Sequence, residues 1–236
     1  MMTAKAILLY HFSRETKQGL IRKNETKALP MRAMLRGYGP VLRRIIHSRA
    51  MLTAFFLMLS YNITNTVMSN FLPLYITQNG QISESMISVF SCLQALVIFL
   101  VMLTIQGRLA RLPYRPVLLT GFLLFVLSHI WLLCMPSGHM AVWICFYLLY
   151  ALSLALISPR KSALVAEFTD PQERARVTAV LSMAMIALTS PISYLTGLLS
   201  SLDRTLPFWL DIAVAFFTCV VLVTSREMKK LDQSHS

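Results

Sequence analysis

Residues 86–116 read MISVFSCLQALVIFLVMLTIQGRLARLPYRP, an uncharged run of 20 residues followed by a loop with three arginines. Twenty helical residues at 1.5 Å each reach about 30 Å, the thickness of a hydrocarbon core. A backbone crossing that core must satisfy its own amides, so the run reads as a transmembrane helix. Arg108, Arg111 and Arg115 then hold its end at the water.

The pattern recurs. Segments 50–76, 117–135, 140–157, 177–199 and 206–224 are each apolar and long enough to span. The chain is 56% hydrophobic and only 14% charged, with mean hydropathy +0.62. Its charges gather in blocks between the apolar runs. The fold class expected is all-α: a polytopic membrane protein with six transmembrane helices.

Lysine and arginine alternate between the connections. Residues 1–49 hold eleven, 77–85 none, 106–116 three, 136–139 none and 158–176 four (Arg160, Lys161, Arg174, Arg176). Residues 200–205 hold one, Arg204, and the tail three, Arg226, Lys229 and Lys230. So 21 of the 22 lie on one side of the six-span map. The positive-inside rule makes that side cytoplasmic. Residues 1–49 read as a basic cytoplasmic arm, 50–224 as the membrane domain and 225–236 as a cytoplasmic tail, in a multi-pass protein of the cell membrane. Within the arm, residues 41–49 form either a short amphipathic surface helix or a flexible linker.

The net charge of +12 does not point to nucleic acid, because the basic residues form no single stripe. Anionic lipid is the expected electrostatic partner. Cys92, Cys134, Cys145 and Cys219 all fall within apolar segments without a CxxC pair; they read as small packing residues, not as a disulfide framework or zinc site. The first apolar stretch, residues 6–10, is too short for the h-region of a secretory signal. Sequons at Asn24 and Asn62 map to the cytoplasm and to a helix, so neither is expected to carry glycan. There is no phosphate-binding loop, catalytic triad, metal-ligand cluster or dinucleotide fingerprint. No enzyme activity and no cofactor are expected.

Three local patterns carry a resemblance. The loop Gly107-Arg108-Leu109-Ala110-Arg111-Leu112-Pro113-Tyr114-Arg115-Pro116 resembles the Gly-x-Leu-Ala-Asp-Arg-x-Gly-Arg-Arg loop of the major facilitator superfamily, with Arg111 at the usual Asp and Tyr114 at the second Gly. The stretch Ser158-Pro159-Arg160, Ala163-Leu164-Val165-Ala166-Glu167, then Asp170-Pro171-Gln172-Glu173-Arg174-Ala175-Arg176 resembles the superfamily's segment after the fourth helix of a six-helix half. Asp170 as N-cap, Pro171 in the first turn and Glu173 three residues after Asp170 would make a capping box. Residues 6–12 and the polar run after them resemble the end of a sixth helix entering a central loop.

The resemblance implies the C-terminal half of such a transporter, from the end of helix six through helix twelve. It implies a cytoplasmic gate loop, for which Gly107, Arg108, Arg111, Arg115, Glu173 and Arg174 are the candidates. A glycine there permits a tight turn, and the basic side chains pair with carboxylates and helix ends. It also implies that two six-helix halves rock about a midplane site. The partner expected is therefore an N-terminal six-helix half or a second copy, together with a small-molecule solute and the lipid bilayer.

Candidate site residues follow from polar groups inside the spans. Asn62, Asn65, Thr66 and Ser69 fall at i, i+3, i+4 and i+7, on one face of the first span. Amides facing lipid are costly, so that face either lines a cavity or bonds between helices. Gln94, with Ser91, sits mid-span in the second helix. Tyr147 and Tyr150 either line the same path or pack within the bundle. Asp211 lies well inside the last span. It reads either as a coupling residue that binds a proton or a cationic substrate or as a carboxylate near the interface, hydrated or paired with Arg204. His129 reads as a proton relay or as a hydrogen-bonded packing residue. Pro191 and Gly197 offer a bending point in the fifth span. Trp131, Trp143 and Trp209 fit the aromatic belt at the outer surface.

The function expected is transport of a small solute by alternating access, with the other half supplied elsewhere. The competing expectation is a non-transporting fragment or a regulatory partner of a full transporter.

Overall fold

A computed structural model describes residues 47–80, 82–109, 112–134, 140–169, 173–225, 227–229 and 231. Six long helices cover them: α1 (Arg49–Asn79), α2 (Glu84–Thr104), α3 (Tyr114–Cys134), α4 (Met140–Glu167), α5 (Arg174–Leu202) and α6 (Leu206–Thr224). All six are long and apolar enough to cross a membrane. A single helical turn, Gln106–Leu109, follows α2. No strand occurs among the described residues. The protein is an all-α, multi-pass bundle.

Outside the polar stripes of α1 and α5 these helices are apolar on most sides, so the buried face of each is chosen largely by shape. The closest pair is α3 with α4. Gly121 lets them approach: a Cβ there would lie 2.7 Å from Ile157 Cγ1 and 3.3 Å from Leu156 Cβ. Helix α6 packs on α3 and α1, α2 leans on α4, and α5 leans on α1. A buried hydrogen bond from Thr218 Oγ1 to Ser60 Oγ, 2.9 Å, fastens α6 to α1. The core is therefore α1, α3, α4 and α6, while α2 and α5 stand at the flanks with most of their surface outside the bundle.

Three expectations are corrected here. Helix α4 does not stop at residue 157 but runs through Pro159 to Glu167. Proline removes one donor, yet its fixed φ suits a helix, and the next residue, Arg160, is buried over the Tyr114 ring at 4.9 Å. Helix α5 begins at Arg174 with Glu173, not Asp170, at the cap position, and the Glu173 side chain makes no cap bond to the helix; the capping box itself rests on residues outside those described. Residues 170–172 lie outside the described residues. The Arg174 guanidinium turns back to the Ala166 carbonyl at 3.0 Å, tying the turn to the end of α4. Finally, Trp143 is no belt residue: it is 2% exposed, packed edge-on to Tyr75 and against Gly80, where a Cβ would meet its ring at 2.6 Å. Trp209 is exposed as expected, and Trp131 is half-buried with Nε1 donating to the Val142 carbonyl. Cys219 is buried and Cys145 half-buried, but Cys92 and Cys134 are exposed.

Candidate functional site

Two hollows with both polar and apolar lining flank α1. The first, of about 420 Å³, opens between α1, α2 and α4. Asn65 and Ser69 line it from α1, Ser91 and Gln94 from α2, and Tyr147 and Tyr150 from α4. Asn65 and Ser69 are one turn apart, as are Ser91 and Gln94, so each pair faces the same way. Pro73 lies one turn further along α1 and also lines the cavity. It has no N–H to give the Ser69 carbonyl, which loses its helical donor beside the cavity.

The wall on the α4 side is aromatic and fixed. Tyr147 stacks on Phe90 at 5.1 Å, and Tyr150 lies parallel to Phe146 at 5.9 Å. Both tyrosines are buried. The wall on the other side is open, with Asn65, Ser69 and Ser91 exposed.

The second, a shallow open groove of about 420 Å³, lies between α1 and α5 and is lined by Thr66, Ile186, Thr189, Ser190, Ser193 and Tyr194. The expected face of α1 is thus divided. Asn65 and Ser69 turn to the cavity and Thr66 to the groove. Asn62 lines neither: its Nδ2 donates to the Met58 carbonyl at 2.9 Å, and its own carbonyl accepts the Thr66 hydroxyl at 2.8 Å. Tyr147 was open between packing and cavity; it does both. The α5 residues escaped the sequence reading, although their spacing at 189, 190, 193 and 194 is a helical polar stripe.

Behind the first cavity lies a buried polar pair. Met68 lines the cavity and its Sδ lies 3.2 Å from His129 Nε2 on α3. The same Nε2 is 3.6 Å from Asp211 Oδ2 on α6. Both side chains have no exposed surface. Neither Asp211 oxygen has a hydrogen-bond partner among the described residues. Arg204 bonds to Ser200 Oγ at 3.1 Å instead, so the expected pairing with Asp211 is not formed. His129 Nδ1 lies 2.9 Å from the Phe125 carbonyl.

The basic connections meet at one end of the bundle. Arg115 Nε donates to the Leu222 carbonyl at 3.0 Å, and one of its Nη atoms to the Val223 carbonyl at 2.6 Å. A cation thereby sits on the negative end of the α6 dipole. Arg160 donates to the Leu112 carbonyl at 2.8 Å, and Lys161 Nζ lies 4.1 Å from the centre of the Tyr61 ring. Arg108 is exposed. Gly107 lies inside the helical turn with open space where a Cβ would be, so no tight turn depends on it. Arg111 and the arm through residue 46 lie outside the described residues.

A family model described as the Major Facilitator Superfamily matches residues 6–235. No curated protein and no solved structure matches the chain.

Proposed function

The chain belongs to the major facilitator superfamily, and on that premise we propose that its six helices are one wall of a secondary transporter working by alternating access. Membrane transport of small solutes is the business of this family. A small solute rests in the cavity between α1, α2 and α4, and a second six-helix half, a separate segment or a second copy, closes the open side. The observation that carries this reading is the convergence of Asn65, Ser69, Gln94 and Tyr150, drawn from three helices, on one cavity. Their amides and hydroxyls donate and accept, which suits a polar solute without fixing its charge. Asp211 is the coupling residue. The basic end, with Arg108, Arg115, Glu173 and Arg174, is the cytoplasmic side of the cell membrane, and both termini lie there.

The test is uptake and efflux of a panel of labelled small solutes by cells expressing the chain with and without a six-helix partner. A solute whose flux disappears in an Asn65→Ala, Gln94→Ala double variant that still reaches the membrane supports the cavity. Flux unchanged by that double variant sinks it. Absence of flux for every solute, with or without a partner, favours the non-transporting fragment.

A further inference from the structure

The pair behind the cavity sets a constraint that hydrogen-bond chemistry resolves. A backbone carbonyl can only accept, so the 2.9 Å contact from His129 Nδ1 to the Phe125 carbonyl requires a hydrogen on Nδ1. Ser128 supports this: its hydroxyl donates to the same carbonyl at 2.7 Å and so presents a lone pair to Nδ1 at 3.3 Å. In a neutral imidazole the other nitrogen, Nε2, then carries a lone pair. It faces the Met68 thioether at 3.2 Å and Asp211 Oδ2 at 3.6 Å. Three electron-pair donors therefore converge where nothing donates a hydrogen. Both Asp211 oxygens are buried without a partner among the described residues. An ionised carboxylate there, in a site without exposed surface, would be a bare buried charge.

We propose that His129 and Asp211 bind one exchangeable proton between them, as a single site directly behind the cavity wall. With the proton on the carboxyl, its O–H faces the Nε2 lone pair across 3.6 Å and both groups are neutral. With the proton on the ring, imidazolium and carboxylate face each other and the pair still has no net charge. In either form one proton removes the conflict; none leaves a naked anion, and two leave a naked cation. The surrounding titratable groups do not substitute for it. Those on the packed helices are Arg49, Tyr61 and Tyr75 on α1, Tyr114, Arg115 and Cys134 on α3, Cys145, Tyr147, Tyr150, Arg160, Lys161 and Glu167 on α4, Arg174, Arg176 and Tyr194 on α5 and Cys219 on α6 itself. The cations with partners among the described residues are engaged elsewhere: Arg115 with the Leu222 and Val223 carbonyls, Arg160 with the Leu112 carbonyl, Lys161 over the Tyr61 ring, Arg174 with the Ala166 carbonyl, and Arg204, the nearest in sequence, with Ser200.

The site is linked to the cavity by shared residues. Met68 and Tyr150 line the cavity, Met68 touches Nε2, and the Tyr150 ring is 6.4 Å from the imidazole. Moving either admits water to the pair and gives the proton somewhere to go. Use of this proton to drive transport rests on the transport reading above; the shared proton itself does not.

The test reads the proton directly on the full chain in lipid nanodiscs at neutral pH, with ¹³C-carboxyl aspartate for infrared spectroscopy and ¹⁵N-histidine for NMR. The other three aspartates, Asp170, Asp203 and Asp232, lie outside the spans, so a protonated-acid band from a membrane-embedded aspartate belongs to Asp211. The expected result is one proton: an acid band with His129 carrying hydrogen on Nδ1 alone, or no band with His129 carrying hydrogen on both nitrogens. Asp211→Asn abolishes the band, and His129→Gln removes the imidazole signals, which assigns them. A spectrum with Asp211 ionised and His129 singly protonated overturns the proposal, as does one with both groups protonated. The wild-type spectra decide even where a variant does not fold. Because no solute is involved, failed transport and a failed proton site give separate results.

Discussion

Replacing Arg115 with alanine should unfasten the end of α6. Its guanidinium bonds two of the last carbonyls of that helix, Leu222 and Val223, at 3.0 and 2.6 Å, and such carbonyls have no intrahelical donor. A hydrogen bond to a charged group is worth about 1.5–3 kcal/mol when sheltered. These two sit at a half-buried edge where solvent screens them, so about 1 kcal/mol each, about 2 kcal/mol together, is the reasoned figure. At 1.4 kcal/mol per factor of ten, the population with α6 detached at that end rises about thirtyfold. Lysine has one ammonium in place of a fork and keeps one of the two bonds, so Arg115→Lys should give about a fivefold rise. Cys219 is the reporter: it is buried on α6, one turn before Leu222. With Cys92, Cys134 and Cys145 changed to serine, the rate of labelling by a membrane-permeant maleimide in mild detergent follows the detached population, provided that reclosing outpaces labelling. A rise of less than about twofold in the alanine variant would refute the energetic argument. Equal acceleration by alanine and lysine would refute the bidentate geometry.

Gly121→Val should push α3 from α4, because even a Cβ would sit 2.7 Å from Ile157; overpacking of this kind costs about 1–3 kcal/mol, read as a lower unfolding temperature in detergent, and an unchanged one contradicts the contact. Trp143→Ala empties a fully packed site beside Tyr75 and should cost about 3–5 kcal/mol; a belt residue would lose far less in the same thermal assay. Asp203, in the turn between α5 and α6, accepts from the Thr205 backbone N–H and hydroxyl at 2.8 and 2.9 Å, which hold its carboxyl below the ordinary aspartate value. A depressed folded value means that the stabilisation is complete above the ordinary aspartate range and is lost as pH falls through the folded value. Thr205→Ala removes the hydroxyl donor and should move the Asp203 midpoint back up in an NMR titration; an unmoved midpoint would assign the whole effect to the backbone.

Some of the candidate site was legible in the chain and some was not, for identifiable reasons. Asn65, Ser69 and Gln94 stood out because an amide or hydroxyl in a span has few tolerable surroundings, and all three line the cavity. The division of the α1 face, with Thr66 on the groove, was not legible: it depends on how α2 and α5 lean on α1. Asp211 was readable as an unusual carboxylate, but depth along a helix says nothing of lateral burial. Five residues into α6 it faces α3, not water. Trp143 misled in the same way. Its place near a helix end matched an interface residue, while a hole beside Gly80 made it core.

The sequence by itself determined the six crossings, their alternation and the side on which the basic connections gather. Those follow from the transfer of each residue between water and hydrocarbon, a local quantity that adds along a segment. Only the tertiary structure decided which faces meet. Lipid tails are as apolar as leucine, so no hydrophobic force chooses the inward face of a spanning helix. Close fit and hydrogen bonding choose it instead, at Gly121 against Ile157 and at Thr218 to Ser60. The same contacts bring His129 and Asp211, 82 positions apart in the chain, to within 3.6 Å of each other.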